Sequence, residues 1–121
     1  MKSNSIDART LKKHLDEGKA LLVDVREAHE HAREHIEGAR LVPLSRFALQ
    51  DFSGDAGKTA VFYCHSGART NANARLFASK GFSETYTLSG GIMAWKAAGL
   101  PTKSARDTSS DARRGFFSRL F

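Results

Sequence analysis

Thr59-Ala60-Val61-Phe62-Tyr63-Cys64-His65-Ser66-Gly67-Ala68-Arg69-Thr70 is the stretch whose reading decides the fold. Its first five residues form a short apolar run with β-branched and aromatic side chains, which predicts a buried strand. From Asn71 to Lys80 the pattern predicts a helix closed by Gly81. Cys64, the only cysteine, therefore falls on a loop between the C-terminal end of a strand and a helix. Open α/β sheets place ligands there. Helix N-termini favour anions, because their first N–H groups lack intrahelical partners, and a thiol at such a place shifts toward thiolate. Gly67 lets the loop adopt positive φ, and successive amides in such a turn form an anion-binding nest. Arg69 adds a forked cationic donor suited to oxyanions. A free cysteine on its own is more often a small, inert core residue. The glycine and arginine beside Cys64 in a strand–loop–helix setting favour a reactive thiol instead.

The rest of the chain alternates strands and helices. Asp7 is suited to N-cap a helix from Ala8 to about Glu17, with Ala8, Leu11 and Leu15 on one face and Gly18 closing it. Strands are expected over Leu21 to Val25, Arg40 to Leu44 and Thr85 to Leu88. Short helices are expected over Glu27 to Glu34, Ser45 to Phe52 and Ile92 to Ala98, with a loop over 53–57. This order predicts a three-layer α/β domain around a mainly parallel sheet. Asp24 and Arg26 would then share the rim of Cys64, where they support the site or form a structural ion pair; for Asp24 the structural role is favoured. Asn73 stands beside Phe77, where a small apolar residue is the ordinary choice, and is read as bonding the backbone. Trp95 is read as core.

Four stretches in this order resemble rhodanese-type sulfurtransferases. Cys64-x-x-Gly67-x-Arg69 is similar to their active-site loop, and Leu21-Leu22-Val23-Asp24-Val25-Arg26-Glu27 to their strand ending in Asp-Val-Arg. His35-Ile36-Glu37-Gly38-Ala39 with Val42-Pro43 resembles a second signature, and Leu88-Ser89-Gly90-Gly91-Ile92-Met93-Ala94-Trp95 through Pro101 a third. The resemblance covers about residues 5–101 and implies an α/β/α domain with a five-stranded, mainly parallel sheet. It also implies sulfur transfer. Cys64 would take a sulfane sulfur from a donor such as thiosulfate and pass it from a persulfide to cyanide or a thiol. Arg69 would bind the oxyanion. His65, Ser66, Gly67, Ala68 and Thr70 would complete the loop, with Asp24 and Arg26 supporting it. No metal or other cofactor is implied, and the acceptor must come from outside, since there is no second cysteine.

Other readings are weaker. Cys-dependent phosphatases and arsenate reductases resemble this fold but separate cysteine from arginine by five residues; here four intervene, and Tyr63 rather than His precedes Cys64. A noncatalytic interaction module would not need the intact Cys/Gly/Arg set. His31-Ala32-Arg33-Glu34-His35 fits a zinc-hydrolase pattern, yet His35 belongs to a stretch where the helix should already end, and no third ligand is evident. Gly57-Lys58-Thr59 imitates the end of a P-loop but leads into a strand.

The formal net charge is +6. No basic helix interleaved with aromatics is present, so mild surface basicity is favoured over nucleic-acid binding. With no apolar run long enough to span a membrane and no visible signal peptide, a soluble cytoplasmic protein is expected. The expected organisation is a catalytic domain over 1–101 and a basic tail over 102–121. The tail holds Lys103, Arg106, Arg113, Arg114 and Arg119 and ends in Phe116, Phe117, Leu120 and Phe121. Contact with a protein or membrane surface through 113–121 and a tail folded back on its own domain stand as equal readings.

Overall fold

The computed structural model describes residues 4–104. The aromatic tail segment, 113–121, lies outside them. Five strands form one sheet: β1 (Ser5–Ile6), β2 (Leu21–Asp24), β3 (Arg40–Leu41), β4 (Thr59–Tyr63) and β5 (Glu84–Leu88). Their order is β1-β5-β4-β2-β3, and every pairing is parallel. Side chains alternate between the sheet faces with the period of two that strands impose. Leu22, Val61, Tyr63 and Leu88 pack on one side with α1 (Ala8–Asp16) and α6 (Gly91–Ala97), around Leu11, Ile92 and Trp95. Val23, Val25, Ala60, Phe62 and Cys64 face the other side, around Phe47, Phe52 and Phe77. The second face is covered by α3 (Leu44–Phe47), α4 (Ala68–Ala72) and α5 (Ala74–Ala78). A short helix, α2 (Ala28–Arg33), follows β2. The three-layer parallel architecture expected from the alternation of elements is thus observed.

The strand of the opening stretch spans Thr59–Tyr63, and Asp7 caps α1 by accepting the Thr10 N–H at 2.7 Å. The helix expected over 71–80 differs. It starts earlier, at Ala68, directly after Gly67 at φ +98°, and breaks at Asn73. The Asn73 side chain donates to the Arg69 carbonyl at 2.7 Å, displacing the backbone bond a continuous helix would make, and the Asn73 N–H turns to Thr70. β1 has only two residues, too few to show a period; the residue pattern places four strands, and β1 supplies the fifth that the resemblance implies. β3 and α3 are shorter than expected: β3 ends at Leu41, and Pro43, with no N–H to give a ladder, stands immediately before α3. Lys58, in the P-loop imitation, pairs with Asp55 at 2.9 Å on the surface.

Because all strands are parallel, Asp24, Tyr63 and Leu88 end at one rim. The chain stays on the domain past Pro101. Trp95 Nε1–H donates to the Pro101 carbonyl at 2.8 Å, and His35 and Lys103 exchange two backbone hydrogen bonds of 2.7 and 2.8 Å. Thr102 donates to Glu34 at 2.8 Å. Among the described residues no helix is long and apolar enough to cross a membrane.

A chain ending at Leu100 leaves the buried Trp95 N–H without its acceptor and removes the bridge to His35. It should melt about 5–10 °C below a chain ending at Ser104, read by circular dichroism. Equal melting temperatures would show that these bonds add nothing to the fold.

Candidate active site

Cys64 continues the line of β4 side chains and is buried at 1% exposure. Its Sγ accepts the Gly67 N–H at 3.1 Å, and the Thr70 hydroxyl lies 3.8 Å away. Thr70 is itself buried and donates to the Gly67 carbonyl at 3.1 Å, which closes the loop on itself. Burial pushes the thiol pKa up, but the N–H and hydroxyl of Thr70 and the N–H groups of Gly67 and Arg69 more than offset it. The net direction is downward, toward thiolate at neutral pH. His65, Ser66 and Ala68 are exposed around the mouth of the loop.

The loop is held from behind by α6. The Ile92 and Met93 N–H groups, free at the start of that helix, donate to the carbonyls of Cys64 and His65 at 3.0 and 3.1 Å. Such close docking requires glycine. Gly90 and Gly91 have φ of +73° and +61°, and a Cβ on Gly91 would meet the Cys64 and His65 carbonyl oxygens at 2.5 Å.

Behind the loop lies Asp24, fully buried. One carboxylate oxygen accepts the Arg26 backbone N–H at 3.0 Å and its Nε at 2.9 Å. The other accepts Arg26 Nη2 at 2.7 Å, Tyr63 O–H at 3.0 Å and His31 Nδ1 at 2.8 Å. Burial alone would raise this carboxyl, but the bonds from Arg26 and His31 overcome it and hold the pKa below the ordinary value. Tyr63, buried and beside Asp24, is pushed upward and stays a phenol; its oxygen accepts the Ile36 N–H at 3.0 Å. Arg26 also donates to the Glu34 carbonyl at 2.5 Å and lies over the Tyr63 ring at 5.4 Å. Asp24 and Arg26 thus form a buried ion pair behind the Cys64 loop.

Arg69 does not stand free at the rim. Its two terminal nitrogens donate to the two oxygens of Glu30 at 2.9 and 2.8 Å. Glu30 is the third residue of α2, where it closes a capping box by accepting the Glu27 N–H at 3.0 Å. The Arg69 bond holds the Glu30 pKa down at about 2. Sequence reasoning did not single out Glu30, Tyr63 or His31 as parts of this site. The Glu27/Glu30 spacing signals the helix start but not the distant arginine.

The histidines of the zinc-like pattern, His31 and His35, both make hydrogen bonds through Nδ1. α2 ends at Arg33, so His35 leaves the helix, and its Nδ1–H donates to the His31 carbonyl at 2.8 Å. The two rings stack with centroids 4.0 Å apart. Each therefore spends Nδ1 on a bond that braces α2. A separate cavity of about 300 Å³, lined by Asn71, Arg75, Phe77 and Thr87 among others, opens between α5 and the β1–β5 edge and does not include Cys64.

The model of the rhodanese-like domain matches residues 7–98. The chain belongs to the rhodanese-like family. A Synechocystis protein is 38% identical over 103 residues, 85% of this chain and 58% of the relative. The chain thus spans just over half of that relative's length. A sulfurtransferase of Allochromatium vinosum is 33% identical over 99 residues, 81% of this chain and 92% of that protein. The crystal structure of a thiosulfate sulfurtransferase from Pseudomonas aeruginosa superposes with a TM-score of 0.72 at 32% identity, over 85% of this chain and 20% of that one. The rhodanese-like signatures of the sequence all converge on one rim: the Cys64 loop, the Asp24–Arg26 pair behind it, Ile36 tied to Tyr63, and the Gly90–Gly91 turn against the loop.

Two variants test this construction. Gly91→Ala forces a Cβ into the loop carbonyls and should cost about 2–4 kcal/mol in denaturant unfolding; stability within 0.5 kcal/mol of wild type would mean that α6 does not fix the loop. Asp24→Asn leaves Arg26 buried without its counter-charge and should cost about 3–5 kcal/mol. A loss under 1 kcal/mol by the same measurement would remove Asp24 as the anchor of the rim.

Proposed function

We propose that this rhodanese-like domain is a sulfurtransferase that carries a sulfane sulfur on Cys64, with thiosulfate among its donors and cyanide or a thiol as acceptor. The observation that carries the reading is the Cys64 sulfur held by the Gly67 N–H inside a loop whose hydrogen bonds lower its pKa. The Cys64 thiolate attacks the outer sulfur of thiosulfate. A Cys64–sulfur bond forms, the donor's S–S bond breaks, and sulfite leaves with the electron pair. An acceptor thiolate or cyanide then attacks the outer sulfur of the Cys64 persulfide. That S–S bond breaks, the Cys64 thiolate returns, and the acceptor departs as a persulfide or thiocyanate. Both halves are displacements at sulfur, with ping-pong kinetics.

The geometry suits this sequence of steps. Cys64 itself is almost wholly enclosed, and a second sulfur places the reactive atom about 2 Å beyond its Sγ. The loop amides stabilise the anionic outer sulfur, and Arg69 lies beside them for an oxyanion. A phosphate cradle is less well supported, because the loop is one residue short for it.

Incubation with thiosulfate should add one sulfur to wild-type protein by intact mass, and none to Cys64→Ser, which should keep the wild-type circular dichroism spectrum and lose turnover with cyanide. The pH dependence of alkylation follows from the lowered thiol: thiolate persists as pH falls below the ordinary thiol range, so the midpoint of the rate profile should lie below that of a free cysteine. Sulfur loading in Cys64→Ser equal to wild type would end the proposal. A properly folded wild type that takes up no sulfur would favour a noncatalytic module.

A further inference from the structure

We infer that Glu30 is a specificity-determining residue, which selects low-charge persulfide donors over the thiosulfate dianion by holding Arg69. This rests on the sulfur-transfer reading of Cys64. The arginines at the rim are both committed. Arg26 is buried against Asp24 and the Glu34 carbonyl. Arg69 is locked to Glu30 by two parallel bonds of 2.9 and 2.8 Å. His31, nearby, donates to Asp24. At the sulfur stand the N–H groups of Gly67, Arg69 and Thr70 together with the Arg69 guanidinium, whose positive charge the Glu30 carboxylate offsets.

The two donor classes make different demands on such a rim. Thiosulfate brings two negative charges toward a thiolate, and its sulfonate end needs a cation to offset the repulsion. A persulfide RS–SH with its outer sulfur protonated brings no charge. In its reaction the Cys64 thiolate bonds to the outer sulfur, the RS–S bond breaks, and the thiolate RS⁻ leaves with the electron pair and takes a proton from water. Neutral amides are sufficient for that step. Thiosulfate, by contrast, must draw Arg69 away from a carboxylate that already satisfies its fork. With the Glu30 pKa held at about 2, the carboxylate stays charged throughout the working pH range, so titration does not open the pair.

Glu30→Gln isolates the charge. The amide oxygen can still accept the Glu27 N–H and keep the cap on α2, while the counter-charge on Arg69 is gone. Sulfur uptake by Cys64 is followed by intact mass against the concentration of thiosulfate and of cysteine persulfide. Wild type should show the higher kcat/KM with the persulfide. Glu30→Gln should raise the ratio of kcat/KM for thiosulfate over persulfide by about threefold to tenfold, the scale of an exposed charge-assisted contact, through KM rather than kcat. In an Arg69→Ala background the same substitution should leave the ratio where Arg69→Ala sets it. If Glu30→Gln does not fold, Glu30→Asp, which pulls the carboxylate back by one methylene, should shift the ratio in the same direction. An unchanged ratio, or equal losses with both donors, overturns the inference and leaves Glu30 as a brace for Arg69 while sulfur transfer stands. Uptake from neither donor by wild type overturns both.

Discussion

The structure depends on a buried carboxylate. Asp24 sits at the C-terminal end of a central strand with no exposure to water, where an ionised group is costly unless its oxygens are fully satisfied. Arg26, Tyr63 and His31 satisfy them. Each donor fixes a different part of the fold. Tyr63 is the register partner of Asp24 on the next strand, so both side chains emerge on the same face. Its oxygen in turn takes the Ile36 N–H and seats the segment after α2. Arg26 reaches the Glu34 carbonyl, and Glu34 carries Lys96 and Thr102 on its side chain. Through this one anion the sheet rim, α2, α6 and the last described residues are held in a single network.

Cys64 lies one residue beyond Tyr63 and obeys the opposite demand. Burial favours its neutral thiol, while the surrounding hydrogen bonds favour the thiolate. The conflict is resolved by backbone. Carbonyls of Cys64 and His65 turn toward the first free amides of α6, and the Gly67 N–H turns toward the sulfur. Partial charges fixed in this way favour a thiolate, and the Arg69 side chain adds its charge from beside them. The arrangement needs the left-handed backbone at Gly67 and Gly90–Gly91, because α6 approaches the loop too closely for a side chain.

Much of this was legible from the sequence because it is local. The continuous apolar run of β4, the cysteine at its end, Gly67 after it and the Asp7 cap each signal within a few residues. Asp24 and Arg26 stand two residues apart on one strand end, so an ion pair between them could be anticipated. Partners far apart in sequence left no such mark. Tyr63 finds Asp24 and Arg69 finds Glu30 across 39 positions each, and only the parallel crossover brings them together. Asn73 shows the limit in between: its backbone bond was anticipated, but not that the bond would take the place of a helical one and divide the helix. The His31/His35 spacing brings the two rings into a stack, with both Nδ1 atoms engaged in hydrogen bonds.

The two arginine–carboxylate pairs at this rim differ in what they permit. The side chains of Arg26 and Asp24 are 4% and 0% exposed, and separating them would strand two charges in the interior. The side chains of Arg69 and Glu30 are 39% and 23% exposed, so water and salt weaken their attraction to the order of 1 kcal/mol or less. An anion of modest affinity can therefore compete for Arg69 where none can compete for Arg26. The geometry of the loop is thus guarded by the buried pair, and its charge is left adjustable by the exposed one.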